Sequence, residues 1–406
     1  MMQRPTTTPA FILAGGEGQR LAPLTEAKPK PVVPFGGTHQ ILDFTLSNCV
    51  NSGLRRIYVL TQHMREPLHE YIRQSRLRLS GSFRWGDGDE LRCAPPVSGK
   101  RYRGTADAVF QNLPLIRFDS ADHVLIASGD HVYAADYRQF LHRHALSGAA
   151  VTIATARRPV RDASFFGVID AEDDGTVTGF REKPSAEALP SVGEVLVSMG
   201  VYAFRRNALI DVADAADPME TDFGRHLIPK LIRSRMVSAY DFGSDGQNYW
   251  RDVGNLDSYF QANMDLVGPK PGFDLDHDPK WPIHTLGDGS VIKKGHSRIS
   301  RHAVVETSAI RGSVVSDGAC IESGAIVENS VVLPGARVST RARVRNAIVT
   351  EGAVVPSGCR VGEDPRADRD RFLMTPQGVV VVTANTGAWR ERSIACSVRK
   401  SAVAAA

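Results

Sequence analysis

The sequence is poor in cysteine, has no run of like charge and contains no long apolar stretch. Its five cysteines (Cys49, Cys93, Cys320, Cys359, Cys396) are odd in number, widely spaced and form no C-x-x-C pair. That argues against a disulfide scaffold and against a structural zinc site, and it suits a reducing compartment. Basic and acidic residues nearly balance, 49 against 45, for a formal charge of +4. Without a basic run, the electrostatic footprint of a nucleic-acid binder is missing. The first apolar stretch, Phe11 to Ala14, ends at glycines, too soon for the apolar core of a signal peptide. No segment reaches the roughly eighteen uncharged apolar residues of a membrane span. A soluble cytoplasmic protein that binds neither nucleic acid nor membrane is expected.

What is present points to two domains. At 406 residues the chain exceeds one ordinary module, and 42% hydrophobic with 23% charged residues suits a full core rather than disorder. Up to about residue 270, short apolar runs alternate with amphipathic stretches. The spacing predicts strands at Pro9 to Ala14, Arg56 to Thr61, His123 to Ser128, Ala150 to Ala156 and Val195 to Phe204. Helices are expected at Phe44 to Ser52, Arg65 to Leu77, Thr105 to Leu115 and Asp136 to Ala145. This is the pattern of an α/β domain with a mostly parallel sheet, whose chemistry collects at the carboxyl ends of the strands.

Pro269, Pro271, Pro279 and Pro282, with Gly268 and Gly272, mark a linker. Beyond it Ser313-Val314-Val315 recurs as Ser330-Val331-Val332 and as Ala347-Ile348-Val349, at a constant period. Gly318, Gly335 and Gly352 keep the same offset, and apolar residues return at about six-residue steps: Val332, Val338 and Val344, then Val349, Val355 and Val361. Such repetition predicts a hexapeptide-repeat parallel β-helix. A solenoid of this kind offers stacking surface to neighbouring domains or subunits.

Several motifs carry chemistry. Leu13-Ala14-Gly15-Gly16-Glu17-Gly18-Gln19-Arg20 follows the first strand. Its glycines allow backbone N–H groups to approach phosphate, and Arg20 adds a fork suited to it. It has neither the Walker A ending nor the Rossmann spacing. Lys28-Pro29-Lys30-Pro31 forms a stiff arm soon after. Tyr102-Arg103-Gly104-Thr105-Ala106 is a small-residue turn opening a helix. Asp130 ends an apolar strand, where a metal ligand belongs in this fold, while His131 beside it reads as a packing or capping residue. Asp252, in Trp250-Arg251-Asp252-Val253-Gly254, is a second acidic candidate. The tripeptides Asp222-Phe223-Gly224 and Asp241-Phe242-Gly243 lack the companion motifs of a kinase.

Taken together, these motifs resemble the sugar-1-phosphate nucleotidyltransferase superfamily, and within it the bacterial glucose-1-phosphate adenylyltransferases. The strings Leu46 to Gly53 and Tyr102 to Ala108 carry the resemblance, with Ser198 to Tyr202, Leu227 to Lys230, Tyr249 to Gly254 and Trp281-Pro282-Ile283. The resemblance implies a Rossmann-like nucleotidyltransferase domain over 1–268, a linker over 269–290 and a left-handed β-helix over 291–406. It also implies ATP bound by Leu13, Ala14, Gly15, Gly16, Gly18 and Arg20 with Gly104, Thr105 and Ala106. Asp130 and Asp252 would hold Mg²⁺, and Arg20 and Lys30 would face the phosphates. Lys183 would bind the phosphate of glucose 1-phosphate, with Tyr102, Gly167, Glu182 and Ser198 around the sugar.

The implied reaction is in-line attack of that phosphate on the α-phosphorus of ATP, for glycogen or α-glucan synthesis. A homotetramer answering to anionic metabolite effectors is implied too. The alternatives are another sugar nucleotidyltransferase, such as one using UTP, and a non-catalytic regulatory subunit. The chain departs from the family at Glu17, Gln19 and Ala27, the last removing one positive charge from the effector region. A mobile loop is expected over 80–100.

Overall fold

The computed structural model describes residues 8–82, 89–97, 100–245, 249–275, 281–287 and 289–384. In chain order the strands that frame the site are β1 (Ala10–Leu13), β2 (Arg56–Leu60), β3 (Glu90–Ala94), β4 (His123–Ser128), β5 (His131–Tyr133) and β6 (Val151–Pro159). They continue with β7 (Gly167–Ala171), β8 (Val177–Glu182), β9 (Glu194–Arg205), β10 (Val237–Asp241) and β11 (Trp250–Asp252). One nine-stranded sheet runs β8-β7-β9-β4-β1-β2-β3, with β6 pairing β9 and carrying β10.

The sheet is mixed. Strands β4, β1, β2 and β3 are parallel neighbours, whereas β9 runs antiparallel to β4, β6 and β7. Alternate residues of the central strands enter two different cores. Ile12, Val59 and Ala127 face one side, and Phe11, Tyr58 and Ile126 face the other. Burial on both faces is why these strands read as continuous apolar runs. In register, Leu13 stands beside Leu60 and Ser128. Three chain crossings therefore leave the sheet at one rim.

The expectation of a loop over 80–100 needs correction. Residues Glu90–Ala94 form an edge strand parallel to β2, because Leu91 and Cys93 pack into one core and Ala94 into the other, while Arg92 stays out. Residues 83–88 and 98–99 of that stretch lie outside the described residues.

The repeat region is a parallel β-helix of three sheets. Val314 pairs with Val331 and Val331 with Ile348, so the sequence repeat is one coil. The six-residue steps are its inward positions: Val332, Val338, Val349, Val355 and Val361 are fully buried. At one corner Gly312, Asn329 and Asn346 adopt φ of 51°, 44° and 46°, a left-handed conformation that glycine and asparagine tolerate best.

One outer face of the solenoid is apolar as well. Val314, Val331, Ile348 and Val381 share a core with Leu21, Phe35, Phe44 and Tyr259 of the first domain. The connecting stretch is tied down rather than free. Trp281 Nε1 donates to Asn48 Oδ1 at 2.9 Å, the His284 N–H to Ser47 Oγ at 2.8 Å, and the Thr285 hydroxyl to the Thr38 carbonyl at 2.8 Å. Among the described residues no helix is long and apolar enough to cross a membrane.

Candidate active site

The rim where β1, β2 and β4 end opens into a cleft of about 590 Å³. The turn from Leu13 to Arg20 forms one wall, Tyr102 to Thr105 another, and Lys30 and Asp130 the floor. Gly18 sits at φ 64°, and a β-carbon there would lie 3.1 Å from Lys30 Cβ and 3.2 Å from Thr25 Cγ2. Glycine lets the turn close over the lysine arm. The two departures in this turn pair with each other, Gln19 Nε2 donating to Glu17 at 2.6 Å.

The ribbon of β5 and β11 brings the acidic residues together. Asp252 is paired across it with His131, which places it beside Asp130. Lys30 Nζ lies 2.7 Å from Asp130 Oδ2 and 3.3 Å from Asp252 Oδ1. Ser128 also donates its hydroxyl to Asp130. Burial pulls the Lys30 pKa down, but the two carboxylates outweigh it and hold the ammonium above its ordinary value. For Asp130, burial pushes upward, yet nearby positive charge, Lys30 foremost, and the hydrogen bonds from Lys30 and Ser128 together outweigh it and hold the carboxyl well below the usual range. Ligand atoms of Asp130, His131 and Asp252 lie within 4.8 Å of one another. Lys30 supplies one cation to this pair of carboxylates, and their hard oxygen donors also suit a divalent metal. The donor set therefore fits such an ion. Gly254 completes this corner, since a β-carbon there would sit 3.1 Å from Asp252 Oδ2 and 3.2 Å from Arg20 Nη2.

The opposite wall is stitched to the segment 221–224. A β-carbon on Gly104 would meet the Thr221 carbonyl oxygen at 2.4 Å, and the N–H of Ala106 donates to that same oxygen at 2.9 Å. Thr105 Oγ1 donates to Asp222 Oδ2 and accepts from the Phe223 N–H, both at 3.1 Å. The first kinase-like tripeptide is thus a structural device: Asp222 caps the turn by accepting from the Arg225 N–H at 3.0 Å, and Phe223 is buried. In the second, Asp241 Oδ1 accepts from the Gly243 N–H at 3.0 Å.

Gly167, Glu182 and Lys183 gather at one end of β7 and β8, beside Ser198 in the middle of β9. Gly167 pairs with Glu182, and one step from the Val168–Val197 pair stand Gly167 and Ser198. Lys183 holds φ 48°, a strained backbone kept in place by its N–H donating to the Phe166 carbonyl at 3.0 Å. Its ammonium lies 3.2 Å from Glu182 Oε1 and is half-exposed. Tyr102 lines the cleft with the glycine turn instead. Its hydroxyl donates to the Ala94 carbonyl at 2.7 Å and accepts from Asn112 at 2.8 Å, so its polar end is already engaged.

The family model described as nucleotidyl transferase matches residues 9–268, and a GlmU-like C-terminal hexapeptide model matches 285–382. Glucose-1-phosphate adenylyltransferase 2 of Alkalilimnicola ehrlichii is 41% identical over 398 residues, covering 93% of each chain. Glucose-1-phosphate adenylyltransferase 1 of that organism is 44% identical over 400 residues, covering 93% of this chain and 94% of the relative. The Nitrosospira multiformis glucose-1-phosphate adenylyltransferase is 40% identical over 398 residues, covering 92% and 93%. The chain belongs to the glucose-1-phosphate adenylyltransferase family.

Seen as an adenylyltransferase, the chain has one cleft residue that sequence reading passed over. Gln62, just past β2, donates to the Tyr102 carbonyl at 3.4 Å and accepts from the Tyr102 N–H. It clamps the second wall to the sheet. Its only signal in the sequence was its place at the carboxyl end of a strand. Lys28 is the other surprise. Its ammonium is 2.6 Å from Glu351, which ties the lysine arm to the solenoid.

Proposed function

We propose that this chain transfers the adenylyl group of ATP to α-D-glucose 1-phosphate, giving ADP-glucose and pyrophosphate for glucan synthesis in the cytoplasm. The observation that carries the reading is the buried Lys30 set between Asp130 and Asp252 on the floor of a glycine-walled cleft. Family membership supplies the substrates.

ATP is held by Leu13, Ala14, Gly15, Gly16 and Gly18, and by Gly104, Thr105 and Ala106, with Arg20 and Lys30 on its phosphates. Lys183 takes the phosphate of glucose 1-phosphate, and Gly167, Glu182 and Ser198 line the sugar. Tyr102 contributes its ring. An oxygen of the sugar phosphate forms a bond to the α-phosphorus while the bond to the bridging oxygen breaks, and pyrophosphate departs. The attacking phosphate is already ionised, so no protein nucleophile or base is required. The protein aligns the two substrates and offsets developing charge with Arg20, Lys30 and Lys183. Mg²⁺ held by Asp130 and Asp252 would neutralise charge on the triphosphate.

Homotetramer formation and response to anionic effectors complete the reading. An effector reaching for Lys28 has to compete with Glu351. Incubating the protein with ATP and labelled glucose 1-phosphate, with and without EDTA, is the test. Labelled ADP-glucose that EDTA prevents supports the reading; no labelled nucleotide sugar from folded protein contradicts it.

A further inference from the structure

We propose that His131 positions the two metal-binding carboxylates electrostatically, its Nε2–H facing both, and is not itself a metal ligand. The inference rests on the metal assignment proposed above for Asp130 and Asp252.

Trp250 decides the orientation of the ring. An indole N–H donates and never accepts, and Trp250 Nε1 lies 3.4 Å from His131 Nδ1. Nδ1 is therefore the accepting nitrogen, and the hydrogen of the neutral ring is on Nε2. Nε2 in turn lies 3.5 Å from Asp130 Oδ1 and 3.9 Å from Asp252 Oδ1. These are longer than full hydrogen bonds and act as directed electrostatic contacts. Ligation through Nε2 would require the proton on Nδ1, where it would point at the indole N–H. The neighbour that fixes the ring thus opposes ligation.

The ring has little room to turn. It stands at 86° to the indole with centroids 5.3 Å apart. The indole is held as well: the Arg158 guanidinium lies 5.0 Å over its ring and donates to the Trp250 carbonyl, and the Phe166 ring is 5.2 Å away. Arg158, Trp250 and His131 thus form a contiguous row of packed groups ending on the carboxylates. Lys30 and Ser128 donate hydrogen bonds to Asp130, and His131 Nε2 faces it from 3.5 Å. Groups that orient ligands in this way commonly contribute about 10–100-fold to metal affinity.

The test uses Mn²⁺ with pyrophosphate, a nitrogen-free anion, on the full chain. Manganese affinity is read by electron paramagnetic resonance, and nitrogen coordination by spin-echo modulation. The wild type is expected to bind Mn²⁺ without a directly coordinated nitrogen. His131→Phe should bind about tenfold more weakly, His131→Gln, which restores an N–H donor, should recover most of that, and Trp250→Phe should also weaken binding. A directly coordinated nitrogen in the wild type that is lost in His131→Phe overturns the proposal in favour of ligation. Unchanged affinity in His131→Phe, or in Trp250→Phe, overturns it too. Failure of the folded wild type to bind Mn²⁺ removes the metal assignment itself, a distinct result. The spin-echo measurement on wild type needs no variant to fold.

Discussion

Replacing Lys30 with methionine removes the charge and keeps an unbranched apolar side chain, one atom shorter. Lys30 is 7% exposed, and its ammonium separates Asp130 and Asp252 at 2.7 and 3.3 Å. In the variant the two carboxylates face each other with no cation between them. Breaking a buried pair in this way costs about 3–5 kcal/mol. The Asp130 and Asp252 side chains keep 32% and 21% exposure, so solvent screens part of the repulsion and the lower end applies, about 3 kcal/mol. The assay is chemical unfolding of wild type and Lys30→Met, each in EDTA and in saturating Mg²⁺. The variant should lose about 3 kcal/mol in EDTA and gain more from Mg²⁺ than the wild type does, because the ion replaces the missing charge. Equal stability of the two proteins in EDTA, or an equal gain from Mg²⁺, would refute the reasoning.

Other perturbations reach the remaining parts of the site. Lys183→Ala should raise the KM for glucose 1-phosphate by about tenfold or more, the loss of one charge-assisted contact, and leave the KM for ATP near wild type; initial-rate kinetics with each substrate varied will show a shift in ATP instead if the assignment is wrong. Gly104→Ala drives a β-carbon to within 2.4 Å of a backbone oxygen, so the second wall must move. A displacement of that kind costs on the order of 100-fold in kcat/KM, and wild-type kinetics would show the wall is not part of the site. Asp43 is buried and its pKa is pushed up to about 7 by that burial, against the pull of the Tyr71 hydroxyl and the Gln40 N–H. The folded protein keeps a proton that the unfolded chain releases near pH 3.9, so this group's contribution is full below about pH 4 and is lost as pH rises through about 7. Asp43→Asn should therefore lose less stability than wild type between about pH 5 and 8; identical slopes in thermal melts would contradict this.

The parts of the fold that were legible in the sequence are those where local pattern and long-range packing agree. The solenoid announces itself because each coil repeats the same inward valines, and β1 and β4 do so because both faces of each are buried. Strand β3 was missed because an edge strand has few buried residues, and Leu91, Cys93 and Ala94 beside the charged Glu90 and Arg92 make no clear apolar run. The loops that wall the cleft were legible through their glycines and charges. Relations that depend on topology were not. Nothing local in Asp222-Phe223-Gly224 says that its aspartate caps a turn and steadies Thr105. Nothing near Gln62 says that it meets the Tyr102 backbone, and nothing near Lys28 points to Glu351. The pairing of Asp252 with His131 follows from a two-stranded ribbon whose partners are far apart in the chain.

The most direct test of adenylyl transfer is pyrophosphate release from the purified protein with glucose 1-phosphate and Mg²⁺, offering ATP, UTP, GTP and dTTP in turn. Release that is selective for ATP and stopped by EDTA is the predicted result. Release that favours UTP would contradict the nucleotide assignment, and silence with every nucleotide from folded protein would contradict catalysis by this chain.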